Sequence, residues 1–187
     1  VNDPRAFYPL VMPDNYMEYR YKMQVAMDRA MRVIEEVGEE FDKVFGRRYG
    51  LVEAMDCDDA EVVLVSSSSF TSPARAAVMN LRRKGYPVGL LKIKTFRPFP
   101  TEKVREVLAD KKKVVVADRN ISFGKGGIFA DEIKGALFNL PDRPVVFGGV
   151  IGLGGRDITP QALEEIVMDA MDKKVVESEI IWKGLKP

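Results

Sequence analysis

The sequence predicts an α/β domain built on a mostly parallel open sheet, preceded by a long N-terminal helix. Short β-branched runs alternate with helical stretches from about residue 60 onward, the signature of βαβ units. Apolar residues recur at helical spacing over Asn15 to Phe45. At 187 residues, 46% hydrophobic and 30% charged, the chain can fill one well-packed domain plus an appended element, and is too short for two full domains. The expected division is an arm, long helix and linker over 1–59 and the α/β domain over 60–187.

Pro4, Pro9 and Pro13 punctuate the first fifteen residues and suit an extended arm covered by something outside the chain. The helix that follows carries Tyr16, Tyr19, Met23, Met27, Ala30, Met31, Ile34, Val37, Phe41 and Phe45 at helical intervals, with a break or bend expected at Gly38. Its Met-rich stripe reads first as ordinary core, with an adaptable partner-binding surface as the alternative. Gly46 to Asp59 reads as a connection.

Val62-Val63-Leu64-Val65 is the first buried strand, and Ser66 to Thr71 a polar loop. Ser72 then caps a helix with Pro73 in its first turn, ending at Lys84-Gly85. Val88 to Ile93 is the second strand, and Thr101 caps the next helix. Val114-Val115-Val116 is the third strand, Gly126-Gly127 opens a helix over Ile128 to Asn139, and Val145-Val146-Phe147 is the fourth strand. After the glycine-rich stretch 148–155, Thr159-Pro160 starts a helix to about Asp172. Ile180-Ile181-Trp182 reads as an edge strand or a docking tail.

The balance of charge excludes the easier functions. Net charge is +1, from 29 basic and 28 acidic residues intermixed, which leaves no footprint for nucleic acid. No apolar run approaches the roughly 18 to 20 residues of a membrane span. Cys57 is the single cysteine, which excludes an intrachain disulfide, a self-contained iron–sulfur cluster and a cysteine-rich zinc site, and fits a reducing, cytoplasmic setting. No histidine is present, so His-based triads and His metal sites are excluded. The Val1 start reads as a processed chain or, more economically, as a piece of something longer.

Ligands of open α/β sheets sit beyond the carboxyl ends of the strands, which singles out four loops. Ser66-Ser67-Ser68-Ser69-Phe70-Thr71-Ser72 sets hydroxyls and N–H groups at a helix start, where an anion can bind, although small residues also merely permit a tight turn. Thr95-Phe96-Arg97-Pro98-Phe99-Pro100 fixes an extended loop whose Arg97 and Phe99 suit docking or packing equally. Asp118-Arg119-Asn120-Ile121-Ser122-Phe123-Gly124 places a charged pair at a strand tip, read as a structural ion pair, with Ser122 and Gly124 as contact candidates. The stretch from Gly148 to Thr159 has five glycines in twelve residues. There Gly152, Gly154 and Gly155 permit close backbone approach, Arg156 can hold an anion and Asp157 can cap the following helix at Thr159.

Phe96-Arg97-Pro98-Phe99-Pro100, the Asp118-to-Gly124 run and Gly152-Leu153-Gly154-Gly155-Arg156-Asp157-Ile158-Thr159 together resemble the alpha subunit of pyruvate:ferredoxin oxidoreductase and its relatives, over roughly Tyr16 to Met171. The resemblance implies that subunit's second domain, a three-layer fold similar to the transketolase carboxyl-terminal domain. It further implies a whole enzyme that converts a 2-oxoacid, pyruvate in the first instance, and CoA to acyl-CoA, CO2 and reduced ferredoxin. Thiamine diphosphate, Mg²⁺, coenzyme A and iron–sulfur clusters would serve that enzyme, held by other domains and subunits. The loop at Ser66 to Thr71 departs from the glycine-containing version such a family would show. No catalytic residue transfers onto this chain, and the loop residues named above read as subunit or domain contacts. The competing reading is an independent nucleotide- or anion-binding regulatory module. A stand-alone dehydrogenase is set aside because no GxGxxG follows the first strand.

Overall fold

A computed structural model describes residues 2, 10–174 and 180–186. They form two compact units, 1–49 and 50–187. Pro4 and Pro9 of the expected arm lie outside the described residues.

The first unit is built on α1 (Pro13–Phe45). Pro13 is the first helical residue and not part of an extended arm, since proline's missing N–H costs nothing there. The helix runs through Gly38 without the expected break. That glycine answers to packing: a Cβ there would overlap the Tyr49 carbonyl oxygen. Gly46, at φ 65°, ends the helix in the left-handed conformation and returns its N–H to the Asp42 carbonyl. Phe41 packs edge-on to Tyr49 at 5.4 Å. The Met-rich stripe expected as core is exposed, with Met23 at 55% and Met27 at 45%. Helical periodicity reports that a face is apolar, but not what covers it.

The second unit is a six-stranded sheet in the order β1-β3-β2-β4-β5-β6. Its strands are β1 (Val52–Met55), β2 (Val62–Ser67), β3 (Val88–Ile93), β4 (Lys113–Asp118), β5 (Val145–Ile151) and β6 (Ile181–Lys183). All neighbours are parallel except β1, which runs antiparallel to β3 at one edge. The stretch read as a connection therefore contains a strand. The carboxyl-terminal segment resolves into the opposite edge strand.

The helices are α2 (Thr71–Arg83), α3 (Thr101–Leu108), α4 (Ile128–Leu137) and α5 (Pro160–Asp172). Because strand side chains alternate, one buried strand feeds both layers. Val62 and Leu64 join α2 and α5 residues such as Leu81 and Ile166 in one cluster. Val63 and Val65 join α3 and α4 residues such as Leu108 and Ile133 in the other. The result is the expected three-layer fold. Truncating a fully buried side chain such as Leu64 to alanine should cost about 2 to 5 kcal/mol.

Several helix starts differ from expectation. α2 begins at Thr71 after a one-turn 3-10 helix, Ser68–Phe70, and no side chain caps it, so Ser72 is inside the helix. Pro100, not Thr101, precedes α3, again without a side-chain cap. β5 continues through Gly148, Gly149, Val150 and Ile151, so the first glycines of the rich stretch belong to the sheet. Phe147 and Gly149 sit two residues apart on one face, and a Cβ on Gly149 would make ordinary contact with Ile166 at 3.5 Å.

Candidate functional site

Every parallel strand but the edge strand β6 hands its chain to a helix at the carboxyl edge of the sheet, and the predicted site residues collect in those crossings. Asp118 ends β4 with no solvent exposure. Its carboxylate accepts from Phe129 N and Ala130 N, each at 3.0 Å, and from Asn120 Nδ2 at 3.0 Å. The two backbone donors are otherwise unpartnered N–H groups of the first turn of α4, so Asp118 caps the helix from a strand nine residues upstream of Gly127. Burial pushes its carboxyl above the ordinary aspartate range, while the two backbone N–H groups and Asn120 pull it down. Gly127 is required beside it: a Cβ there would overlap the carboxylate. The ion pair expected of Asp118 with Arg119 or another arginine is not seen among the described residues: Asp118 is spent on the helix and Asn120, and Arg119 Nε donates to the Gly152 carbonyl at 3.2 Å.

Asn120 completes the brace by accepting from Ile128 N at 2.8 Å. Between the braced ends the chain folds back on itself. Ser122 N donates to Gly126 O at 2.7 Å and Gly126 N to Ser122 O at 3.0 Å. Gly124 at φ 80° and Gly126 at φ 133° supply the reversal. The tip of this turn carries Phe123, 91% exposed.

The β3–α3 crossing is bound to the same helix. Arg97 pairs with Glu132 of α4 at 2.5 Å, lies over the Phe96 ring at 4.2 Å, and follows with a cis bond to Pro98. Phe96 in turn meets Phe129 at 5.0 Å between ring centroids. Phe99 packs against the α3–α4 side of the core. Arg97, Asp118, Arg119 and Gly152 thus form one connected chain of contacts across three crossings.

The distal part of the glycine-rich loop faces elsewhere. Gly152, Gly154 and Gly155 all take positive φ, between 65° and 84°. A Cβ on Gly152 would strike Ile158 at 2.5 Å. Arg156 donates to the Gly184 carbonyl just beyond β6, and an open depression of about 310 Å³ lies between this loop and Trp182 and Lys183. Asp157 is exposed, and the α5 cap assigned to it belongs to Thr159, whose hydroxyl accepts from Ala162 N at 3.1 Å. At Ser66 to Thr71 the hydroxyls face one another: Ser66 Oγ donates to Thr71 Oγ1 at 3.2 Å, which donates to Ser68 O at 2.9 Å.

Sequence reading did not find the brace of Asp118, Asn120 and Gly127. The available signal was an aspartate closing a buried strand, with an Asx residue two positions on and a glycine before the next helix. Among the described residues no group of three or more His, Cys, Asp or Glu is placed to hold a metal ion. Cys57 is buried against the Met55 and Leu90 carbonyls.

Comparison with known proteins agrees with this architecture. The chain is 43% identical over 185 residues to pyruvate synthase subunit PorA of Methanothermobacter thermautotrophicus, covering 99% of this chain and 46% of that subunit. It is 42% identical over 190 residues to ketoisovalerate oxidoreductase subunit VorA of Pyrococcus abyssi, covering 98% of this chain and 48% of that subunit. The chain therefore spans about half the length of the curated relatives it matches. In fold it is similar to the 2-oxoglutarate:ferredoxin oxidoreductase from Magnetococcus marinus, with a TM-score of 0.55 at 19% identity over 87% of this chain and 24% of that one. A split-gene transketolase gives 0.53 at 16% identity over 67% and 43% of the two chains. The family model described as pyruvate:ferredoxin oxidoreductase core domain II matches residues 60–163, which is more than half of the sequence and takes in every crossing loop described above, and the chain belongs to that family.

Proposed function

We propose that the chain is an assembly and interface domain in the alpha subunit of a thiamine diphosphate-dependent 2-oxoacid:ferredoxin oxidoreductase, inactive alone. In this reading the 2-oxoacid is pyruvate. The whole enzyme joins the acyl group to CoA, releases CO2 and passes electrons to ferredoxin in the cytoplasm. The observation that carries the reading is how the crossing loops use their polar groups. Asp118, Arg119, Arg97 and Arg156 are each engaged by a partner within the chain. A loop whose charges brace its neighbours presents a fixed surface and keeps few donors for a ligand.

The residues present do not fit the cofactors of such an enzyme. Iron–sulfur clusters are held by several cysteines, and this chain has only Cys57. A diphosphate with its Mg²⁺ calls for free carboxylates and cationic donors together, whereas the buried carboxylate at this edge already accepts three N–H bonds. Thiamine diphosphate, Mg²⁺, CoA and clusters therefore belong in this reading to other domains and subunits, and no step of the reaction is assigned to a side chain here. Arg97, Phe99, Ser122, Gly124, Gly154, Gly155 and Asp157 are interface candidates, with the 91%-exposed Phe123 added to them.

Calorimetric titration of the purified chain with thiamine diphosphate plus Mg²⁺, with CoA and with ATP should give no binding heat. The same chain, substituted for the matched half of the Methanothermobacter subunit within its complex, should support 2-oxoacid-dependent reduction of ferredoxin. Micromolar binding of any of these ligands to the isolated chain would instead establish the anion- or nucleotide-binding module.

A further inference from the structure

α1 carries an apolar face too wide for a single partner helix. Tyr16, Tyr19, Met23, Val33, Val37 and Val44 are each between 45% and 72% exposed. With Ala26 and Ala30 between them they follow alternating steps of three and four residues, the a and d positions of successive heptads, interrupted by Glu40. Met27, Ile34 and Phe41 fall at the adjoining e positions and broaden the stripe. Glu18, Asp28, Arg32 and Glu35 occupy the opposite side. A strict a/d seam suits one facing helix, whereas an a/d/e stripe suits the surface of a folded body.

Self-pairing is poorly served. In a parallel pair of copies Lys22 would face Met27, Arg29 would face Ile34 and Glu36 would face Phe41, so no ion pair fixes the register. A run of apolar surface this long is rarely left in water by a monomeric protein. α1 also lies outside the 60–163 of the family model, yet inside the 185 residues aligned with PorA. The helix is thus shared with subunits of which the matched region is only 46%.

We infer that the a/d/e face of α1 is covered, in the whole subunit, by the portion of the subunit that lies outside the matched half; this rests on the subunit reading proposed above. A covalently joined body reaches the helix at a high effective concentration, so the contact needs little intrinsic affinity.

Hydroxyl-radical footprinting reads the face directly, because Tyr16, Tyr19 and Met23 are all oxidisable. It is run on the 187-residue chain and on Methanothermobacter PorA carrying this chain in place of its matched half. Oxidation of the three residues should be high in the isolated chain at every concentration. It should fall about tenfold in the chimeric subunit, as side chains now about half exposed become buried. In the chimera, Met23→Glu combined with Val37→Glu should restore oxidation of Tyr16 and Tyr19. Unchanged oxidation in the chimera overturns the inference, as does low oxidation already in the dilute isolated chain. Protection that appears only when the isolated chain is concentrated assigns the face to a second copy and overturns it too. Ferredoxin reduction by the same chimera tests the subunit reading separately, so an active chimera with an oxidisable α1 sinks this inference alone.

Discussion

β2 and β4 lie side by side in the sheet and both pass the chain to a helix at the same edge, yet the two crossings are finished by opposite means. From β2 the chain reaches α2 through one 3-10 turn, Ser68–Phe70, held by two hydroxyls and by Ser68 at φ 57°. From β4 it travels nine residues before α4, and the crossing is closed by a buried carboxylate that reaches forward to Phe129 and Ala130. A short crossing is stabilised locally and carries backbone strain, because a non-glycine residue at positive φ is disfavoured. A long crossing needs a brace, and once braced it can hold an aromatic tip such as Phe123 away from the body of the protein.

The largest effect should come from removing the brace. Asp118→Ala strands the N–H groups of Phe129 and Ala130 in a buried setting and should lower unfolding stability by about 3 kcal/mol. Urea denaturation followed by circular dichroism would show it. A loss below that of an ordinary surface substitution would mean that the two crossings do not differ as described. Asp118→Asn sharpens the point through pH. Burial raises the carboxyl above 3.8, so the folded state holds its proton more tightly than the unfolded state. The part of the stability that is linked to this tighter proton binding is then fully present below the unfolded value and is lost as pH rises through the folded one. The stability gap between wild type and Asp118→Asn should accordingly widen on acidification across that window. Glu53, Asp59 and Glu164, whose carboxyls are held below their ordinary values by Lys94, Arg82 and Lys84 respectively, act in the opposite sense but are common to both proteins.

Next in size is Gly127→Ala. The added Cβ overlaps the Asp118 carboxylate and must displace the brace or the helix start, which should cost about 2 kcal/mol. In the double variant with Asp118→Ala the penalty should fall but not vanish, because the carboxylate is gone while the residue-118 Cβ, 2.6 Å from the added methyl, remains. A full additive loss would place the strain of Gly127 elsewhere. The tip would report the same event independently: proteolysis near Phe123 should accelerate in either single variant.

How much of these crossings could be read in advance depended on the range of the interaction. The buried strands are legible because Val62 to Val65 and Val114 to Val116 are continuous valine-rich apolar runs, bounded by polar or glycine-bearing segments. β1 is not, since Val52-Glu53-Ala54-Met55 is four residues with one charge, placed in the sheet by its antiparallel register with β3. Gly148 and Gly149 read as loop because glycine is a turn former, whereas both lie in β5 in parallel register with Val116 and Ala117 of β4. Thr159 rather than Asp157 caps α5 because it is the residue immediately before Pro160, within reach of Ala162 N. The Asp118 brace joins residues eleven and twelve apart across a turn, and no local propensity encodes that distance.

On the β2 side the losses should be smaller. Thr71→Val keeps the shape but removes the hydroxyl that links Ser66 to the Ser68 carbonyl, leaving the buried Ser66 Oγ without that acceptor. A loss of about 1 kcal/mol is expected, one neutral hydrogen bond in size, with no change in proteolysis near Phe123. An accelerated cleavage there would show that the two crossings are coupled through β2 and β4.

The smallest effect should have the opposite sign. Ser68 holds φ 57° with an exposed side chain, and the only group of this residue used in the crossing is its backbone carbonyl, which glycine retains. Ser68→Gly relieves the clash between Cβ and backbone but enlarges the freedom of the unfolded chain, two effects of about 1 kcal/mol each that nearly offset. A net gain of a few tenths of a kcal/mol is expected, because the left-handed conformation is imposed in every folded molecule while the added freedom is shared over many unfolded ones. A clear loss on denaturation would mean that the serine side chain itself stabilises the turn. The short crossing would then be braced by a third hydroxyl rather than strained, and the contrast with β4 would be one of length alone.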